Sequence, residues 1–301
     1  MSRAVLVDTT ICTGCRGCQV ACKEQNDLPA EKTRFFAPAG GFQNPPALSP
    51  TTLSLVTFWE RDRKGQVPVR TFVRRQCMSC LEPRCVKACP VGALNKNADG
   101  SVTHDAAKCI GCLSCKDACP FGVPTLETVN EVPHIRKCEF CTSRVSDPSV
   151  PDVLNKGHST EDVLDEPKRK RLVAARSKPA CVAACATGAL VHGDRDELLA
   201  EARRRIRRAP ARYQNHVWGE KEAGGTSWLY LASVPFDEIG LPTKLPAAPA
   251  EGAFSEVAGV LAAPELASVG AVLGGLGWLS RRRHEVAAAG REGEDGPAKD
   301  R

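Results

Sequence analysis

CTGCRGCQVAC, residues 12–22, places cysteines at positions 12, 15, 18 and 22. Residues 109–119, CIGCLSCKDAC, repeat that spacing, and residues 77–89, CMSCLEPRCVKAC, repeat it with two residues added before the third cysteine. The remainder fall as CEFC at 138–141 and CVAAC at 181–185, so the sixteen cysteines divide into four sets of four with none left over. The second and fourth sets end on nearly the same phrase: CVKACPVGAL at 85–94 and CVAACATGAL at 181–190 agree at seven of ten letters. A unit spelled repeatedly, with insertions between copies, is an internal structural repeat.

The spacing has a mechanical meaning. In CxxCxxC three thiolates converge because the backbone loops around one corner of a body, as when three irons of a [4Fe-4S] cube are held. The fourth cysteine points out of the loop and serves the neighbouring cube of a pair. Four sets therefore predict four [4Fe-4S] clusters, closed reciprocally in pairs. Gly92 and Gly188 sit in the repeated phrase, where they permit a chain reversal that other residues resist. VLVD before the first set and SVTHD before the third read as short strands. Small residues inside the loops (TG, RG, IG, LS) let backbone amides approach the sulfurs and stabilise a more negative cluster.

Other readings fit less well. Disulfide frameworks suit small secreted domains with more than about 8–10% cysteine. Sixteen in 301 residues is lower, and MSRAVLVDTT has no apolar stretch of the secretory kind. A CxxCxxCxxxC run crowds more thiolates together than one tetrahedral zinc uses, which leaves a zinc-binding scaffold as the distant alternative. The net charge of +6 is mild. Its two basic runs, at 168–171 and 203–208, read as solvated faces, and without interleaved aromatics they predict no nucleic-acid partner. There is no nucleophile elbow, P-loop or dinucleotide fingerprint. His104, His134, His158, His192, His216 and His284 are scattered singly and read as surface or satisfied side chains. No catalytic residue is expected: the chain is read as carrying electrons, not as an enzyme. Aromatic residues, at 5%, are thin for an ordinary core and leave interior space for inorganic cubes.

CTGCRGCQVACKEQND, CMSCLEPRCVKACPVGAL, CIGCLSCKDACPFGVP and KCEFCTSRV together resemble the iron–sulfur (beta) subunit of respiratory formate dehydrogenase. More broadly they resemble the four-cluster electron-transfer subunits that partner molybdenum or tungsten bis-pterin oxidoreductases and some hydrogenases. The likeness covers residues 5–193, and GGTSWLYLASVPFDEIGLPTKLP from Gly224 is similar to the segment that follows the clusters in formate dehydrogenase beta subunits. The resemblance implies that the first and fourth sets share two cubes and the second and third share two more. One cube would take Cys12, Cys15, Cys18 and Cys185; its neighbour Cys22, Cys138, Cys141 and Cys181. A third would take Cys77, Cys80, Cys85 and Cys119; the last Cys89, Cys109, Cys112 and Cys115. Only 19 residues separate Cys89 from Cys109, which agrees with a compact inner pair. Lys23 and Ala186 depart from the proline that often follows a fourth cysteine, and residues 146–178 make a longer polar connection than the family leads one to expect.

The expected fold is α+β: two ferredoxin-like modules, each holding two [4Fe-4S] clusters, plus one C-terminal helix. Residues 1–69 with 129–240 would form the outer module, 70–128 the inserted one, 241–256 a linker, 257–280 a membrane anchor helix and 281–301 a disordered tail. Within VAGVLAAPELASVGAVLGGLGWL the uninterrupted apolar part is 14 residues, a helix of roughly 21 Å against a hydrocarbon core of about 30 Å. The full stretch is long enough if Glu265 finds a partner or lies near the interface. Arg281, Arg282 and Arg283 would then stay cytoplasmic, placing the clusters on the periplasmic face of the inner membrane; a soluble cytoplasmic complex is the alternative. The family implies a molybdenum or tungsten bis-pterin catalytic subunit at one end and a membrane cytochrome b-type or other quinone-reactive subunit at the other. A hydrogenase, or a reductase for a sulfur or nitrogen oxyanion, is the alternative catalytic partner.

Overall fold

A computed structural model of the chain describes residues 2–33, 43–63, 66–129, 132–142 and 177–245. At its centre lies β1 (Arg3–Asp8), whose residues from Ala4 to Val7 are at most 2% exposed. It is covered on both faces because it is the middle strand of three: β8 (Leu190–Asp194) pairs antiparallel on one side and β9 (Trp228–Leu231) parallel on the other. Alternation then sorts the side chains. Ala4, Leu6, Leu229 and Leu231 pack with Leu198, Leu199, Ala202 and Ile206 of a covering helix. Val5, Val7, Trp228 and Tyr230 point the other way, into a core with Phe140, Cys181 and Trp218.

That covering helix follows β8 directly and runs from Arg195 to Arg208. Asp194 caps it by accepting from the Asp196 amide at 2.9 Å, and Arg205, Arg207 and Arg208 in the last turn complement the helix dipole. The basic run is thus the outer face of a packed helix. Arg203 pairs with Glu220, Arg204 with Glu201, and Arg205 with both Glu201 and the buried Asp8.

The cysteine loops share a local design. Each of the short helices α2 (Arg84–Lys87), α3 (Ser114–Asp117) and α4 (Ala180–Ala183) ends just before a fourth cysteine of a set. Three residues after that cysteine stand Gly92, Gly122 and Gly188, with φ of 60°, 59° and 67°. Their amides donate to the carbonyls of Cys89, Cys119 and Cys185 at 3.3, 3.0 and 3.2 Å, closing the reversal. The first set differs. With Lys23 after Cys22 and no glycine at the turn position, α1 (Gly17–Gln25) runs on past the cysteine. Asn26 ends it, its Nδ2 donating to the Cys22 carbonyl at 2.7 Å.

Hairpins make up the rest. β2 (Ser54–Arg63) and β3 (Gln66–Gln76) form a long antiparallel pair that carries the chain across residues 69 and 70. β4 (Leu94–Lys96) pairs with β5 (Val102–His104), and β6 (Thr125–Val129) pairs with β7 (Val132–Arg136), crossing residues 128 and 129. Both expected module limits therefore lie inside hairpins. The predicted strands at VLVD and SVTHD coincide with β1 and β5.

Among the described residues no helix is long and apolar enough to cross a membrane. The anchor expected at 257–280, the tail at 281–301, residues 246–256 of the linker and nearly all of the 146–178 connection lie outside the described residues, as do His158, His284 and the basic run at 168–171.

Candidate iron–sulfur centres

None of the sixteen cysteines is in a disulfide. Cysteines from separate stretches of the chain lie near enough to influence one another's thiols. Burial pushes the Cys12 thiol up to about 11 against a hydrogen bond from Gly14, and the neighbours that add to the rise are Cys18, Cys185 and Cys15. Burial pushes Cys181 up to about 12; Arg74 opposes it, and Cys141, Cys22 and Cys18 reinforce it. Cys138 is raised by burial and then by Cys22, again with Arg74 opposing. In the third group burial pushes Cys85 up to about 12, with Cys77 and Cys119 adding and Lys137 opposing. Cys80 is raised by burial, Cys77, Cys119 and Cys85, with Lys96 opposing. In the last group burial pushes Cys115 up to about 11, and Cys112, Cys89 and Cys109 add to it.

Some influences cross between the expected quartets: Cys18 acts on Cys181, Cys77 on Cys138, and Cys115 on Cys85. Cys15 and Cys112 are exposed, whereas Cys22, Cys115, Cys138 and Cys181 are buried. Near the exposed Cys15 and Cys112 in sequence, Val20 and Ile110 stand 62% and 58% exposed.

The residues fit [4Fe-4S] clusters by their donor chemistry and by their surroundings. Cys22, Cys138, Cys141 and Cys181 line one cavity, together with Arg74, Asn26 and Trp228. Two of those neighbours, Arg74 at Nε and Trp228 at Nε1, carry buried donors with no hydrogen-bond partner among the described residues. Among the described residues no three His, Cys, Asp or Glu side chains are drawn closely enough to hold a single metal ion. Four thiols lining one cavity match the four-cysteine ligation of a [4Fe-4S] cluster. Backbone amides do reach the sulfurs: Ala93 donates to Cys89 Sγ at 3.2 Å, and Val123, Phe121 and Gly122 donate to Cys119. Gly14 shows why the loops need small residues. Its φ is +67°, and a Cβ there would stand 2.7 Å from the Phe72 ring.

Sequence reasoning missed the cations. Arg74, Lys96 and Lys137 lie among the quartets; Lys96 Nζ donates to the Cys80 and Gly100 carbonyls at 2.8 and 2.7 Å, and Lys137 Nζ donates to the Val102 carbonyl. A signal was present in Lys137, which directly precedes Cys138, and in RRQC at 74–77. The histidines also differ from expectation. His216 pairs with Glu222 at 2.7 Å, but His104 Nε2, His134 Nδ1 and His192 Nε2 are buried without hydrogen-bond partners among the described residues. Burial, with Arg3 and Lys178 nearby, pushes His192 down to about 4, so its ring is neutral near pH 7.

Four-cysteine loops closed by glycine turns and set on hairpins and a small sheet define a ferredoxin-like iron–sulfur protein. Residues 11–93 and 69–159 each match the 4Fe-4S dicluster domain family, the two matches overlapping on the second cysteine set. The chain is 33% identical to the nitrate-inducible formate dehydrogenase iron-sulfur subunit of Escherichia coli K12 over 246 residues, which is 79% of this chain and 72% of that protein. It is 31% identical to the hydrogenase-2 operon protein HybA of Escherichia coli O157:H7 over 275 residues, 80% of this chain and 73% of that protein. A protein of Nitratidesulfovibrio vulgaris is 37% identical over 248 residues, and there the match spans 81% of this chain but only 58% of the relative's length. The chain belongs to the family of iron–sulfur subunits with 4Fe-4S dicluster domains that includes the formate dehydrogenase iron–sulfur (beta) subunits.

Proposed function

We propose that the chain is the electron-transfer subunit of a formate dehydrogenase, holding four [4Fe-4S] clusters on the quartets Cys12/Cys15/Cys18/Cys185, Cys22/Cys138/Cys141/Cys181, Cys77/Cys80/Cys85/Cys119 and Cys89/Cys109/Cys112/Cys115. The observation that carries this reading is the cavity that Cys22, Cys138, Cys141 and Cys181 line together, although they come from three separate stretches of the chain. The influences of Cys18 on Cys181, Cys77 on Cys138 and Cys115 on Cys85 support setting the four quartets in a row in the order given. When bound, the clusters supply reversible one-electron chemistry. The protein's part is to hold, insulate and tune. Buried thiols must lose their protons to bind iron, so assembly is coupled to proton release. The aromatic core excludes water around the second quartet, and amides at Cys12, Cys89 and Cys119 offset thiolate charge. The exposed ends, with Val20 and Ile110, are where donor and acceptor would approach.

The likeness to formate dehydrogenase subunits supports a molybdenum or tungsten bis-pterin catalytic partner at one end and a membrane cytochrome or other quinone-reactive subunit at the other. The sequence of residues 257–279 supports an anchor that keeps the clusters on the periplasmic face. A hydrogenase partner is the second reading, favoured by the 31% identity to HybA. Anaerobic purification of the complex tests both. The expected outcome is as many irons as cysteines, sixteen of each per chain, a broad visible absorption, and bleaching of that absorption by formate. Bleaching by hydrogen and not by formate would select the second reading; colourless protein with stoichiometric zinc would sink both.

A further inference from the structure

The cavity lined by Cys22, Cys138, Cys141 and Cys181 is lined also by Arg74, on β3, and by Trp228, on β9. Arg74 is 3% exposed. Its Nη1 donates to Gln76 Oε1 at 2.8 Å, Gln76 Nε2 donates to the Tyr230 hydroxyl at 2.8 Å, and that hydroxyl donates back to the Arg74 carbonyl at 2.9 Å. Gln76 and Tyr230 are both wholly buried, so this closed ring of hydrogen bonds fixes the guanidinium in place. Its carbon lies 4.7 Å from the centre of the Trp228 ring.

These partners are a neutral amide and an aromatic face. A buried cation so provided is expensive unless an anion stands near. Burial opposes the charge of Arg74, and the groups that favour it are the thiolates of Cys181, Cys18, Cys22 and Cys138. Three of those belong to the second quartet, and Cys18, to which the guanidinium also donates a hydrogen bond, belongs to the first. The quartet at the far end contrasts with this: beyond burial, the leading influences on Cys115 are the other thiols of its own group. Arg74 Nε and Trp228 Nε1, which have no hydrogen-bond partner among the described residues, are further donors available to sulfur in that cavity.

We propose that Arg74 sets the reduction potential of the cluster held by Cys22, Cys138, Cys141 and Cys181, its fixed charge favouring the reduced cluster and making that position the electron reservoir of the row. The inference rests on the four-cluster reading above. A cluster gains one negative charge on reduction, and a buried cation stabilises that gain more than water-screened charge does. The step is a single electron passed from a neighbouring cluster, which is oxidised by one charge as the second is reduced by one. No proton moves, because the guanidinium is protonated in both states. Trp228 covers the guanidinium and keeps its field from being screened.

A redox titration followed by electron paramagnetic resonance, on the full chain purified with its partner subunits, tests this. Arg74→Met removes the charge. Gln76→Glu keeps the shape and cancels the charge in place, and Arg74→Lys keeps the charge. The expected result in the first two variants is a fall of at least tenfold in the equilibrium constant for reducing one cluster, about 59 mV for one electron. The two inner-pair potentials should not move, and Arg74→Lys should recover most of the shift. If Arg74→Met fails to assemble, Gln76→Glu decides. Unmoved potentials in Gln76→Glu overturn the proposal, and so does loss of iron from that variant, since a charge that only sets potential leaves assembly intact. Absence of iron from the unaltered complex would instead strike at the four-cluster reading.

Discussion

Around Cys181 the chain supplies Phe140, Trp218, Trp228 and Tyr230, gathered in one buried group behind a three-stranded sheet. Around Cys115 it supplies Leu94, Val102 and Ile135, and the side chains packed against them are mostly further cysteines: Cys85, Cys89 and Cys109. The loops are alike but the cores are not. One half has an apolar interior that hydrophobic burial can hold together; the other has a small interior in which nearly half of the side chains are cysteines. A core of so few apolar groups contributes little against chain entropy. The inner pair should therefore owe its structure to its clusters, and the outer pair should owe much of its structure to its sheet.

Removing iron breaks the comparison open most widely. With chelator and oxidant, amide exchange across residues 77–129 is expected to approach the rate of an unfolded chain. β1, β8, β9 and the Arg195–Arg208 helix should keep measurable protection, because their contacts in the second buried group contain no cysteine. Equal loss of protection in both regions, read by mass spectrometry, would show that the two cores are one cooperative unit. Single ligand changes should sharpen the same contrast. Cys115→Ala and Cys181→Ala each lose one cluster, seen as a drop of four irons, four being the complement of one cube. Only Cys115→Ala is expected to expose residues 94–104 to protease; Cys181→Ala leaves the sheet intact.

Much of this was legible in the sequence because ligand spacing is local. A CxxCxxC loop must turn where it does whatever surrounds it, and the glycine three residues past Cys89 and Cys185 announces the reversal. No such glycine follows Cys22, and there α1 runs on past the cysteine. What spacing does not carry is the environment supplied from far along the chain. Arg74 and Arg75 are adjacent and chemically identical, and nothing in VRRQC says which of them is buried. That is decided by Gln76, Tyr230 and Trp228, and two of those lie some 154 residues away or more in sequence. The same limit hid Lys96, whose partners Cys80 and Gly100 come from different loops.

Glycine substitutions probe the two halves on a smaller scale. Gly111 and Gly188 share a left-handed backbone, with φ of +70° and +67°. A Cβ on Gly188 meets nothing within 4 Å, whereas one on Gly111 would stand 2.3 Å from Pro133 on β7. Gly188→Ala should then cost about 1–2 kcal/mol, the conformational penalty alone. Gly111→Ala adds an overpacking cost of about 1–3 kcal/mol and should push the β6–β7 hairpin away from the last quartet. Thermal denaturation of the loaded protein compares the two, and equal shifts would mean that the hairpin yields freely.

The smallest effect belongs to the end of β8. Asp194 Oδ1 accepts from the amides of Asp196 and Glu197 at 2.9 and 3.5 Å and so caps the helix that covers the sheet. Asp194→Ala should lower stability by about 1 kcal/mol. The helix touches the sheet on the face opposite Trp228 and Tyr230, so the loss should not reach the thiolates. The expected signature is a lower melting temperature with unchanged iron content and unchanged resonance spectra. Any shift in a cluster signal from this substitution would mean that the sheet transmits strain from one face to the other, and the two faces would then have to be treated as one support for the clusters.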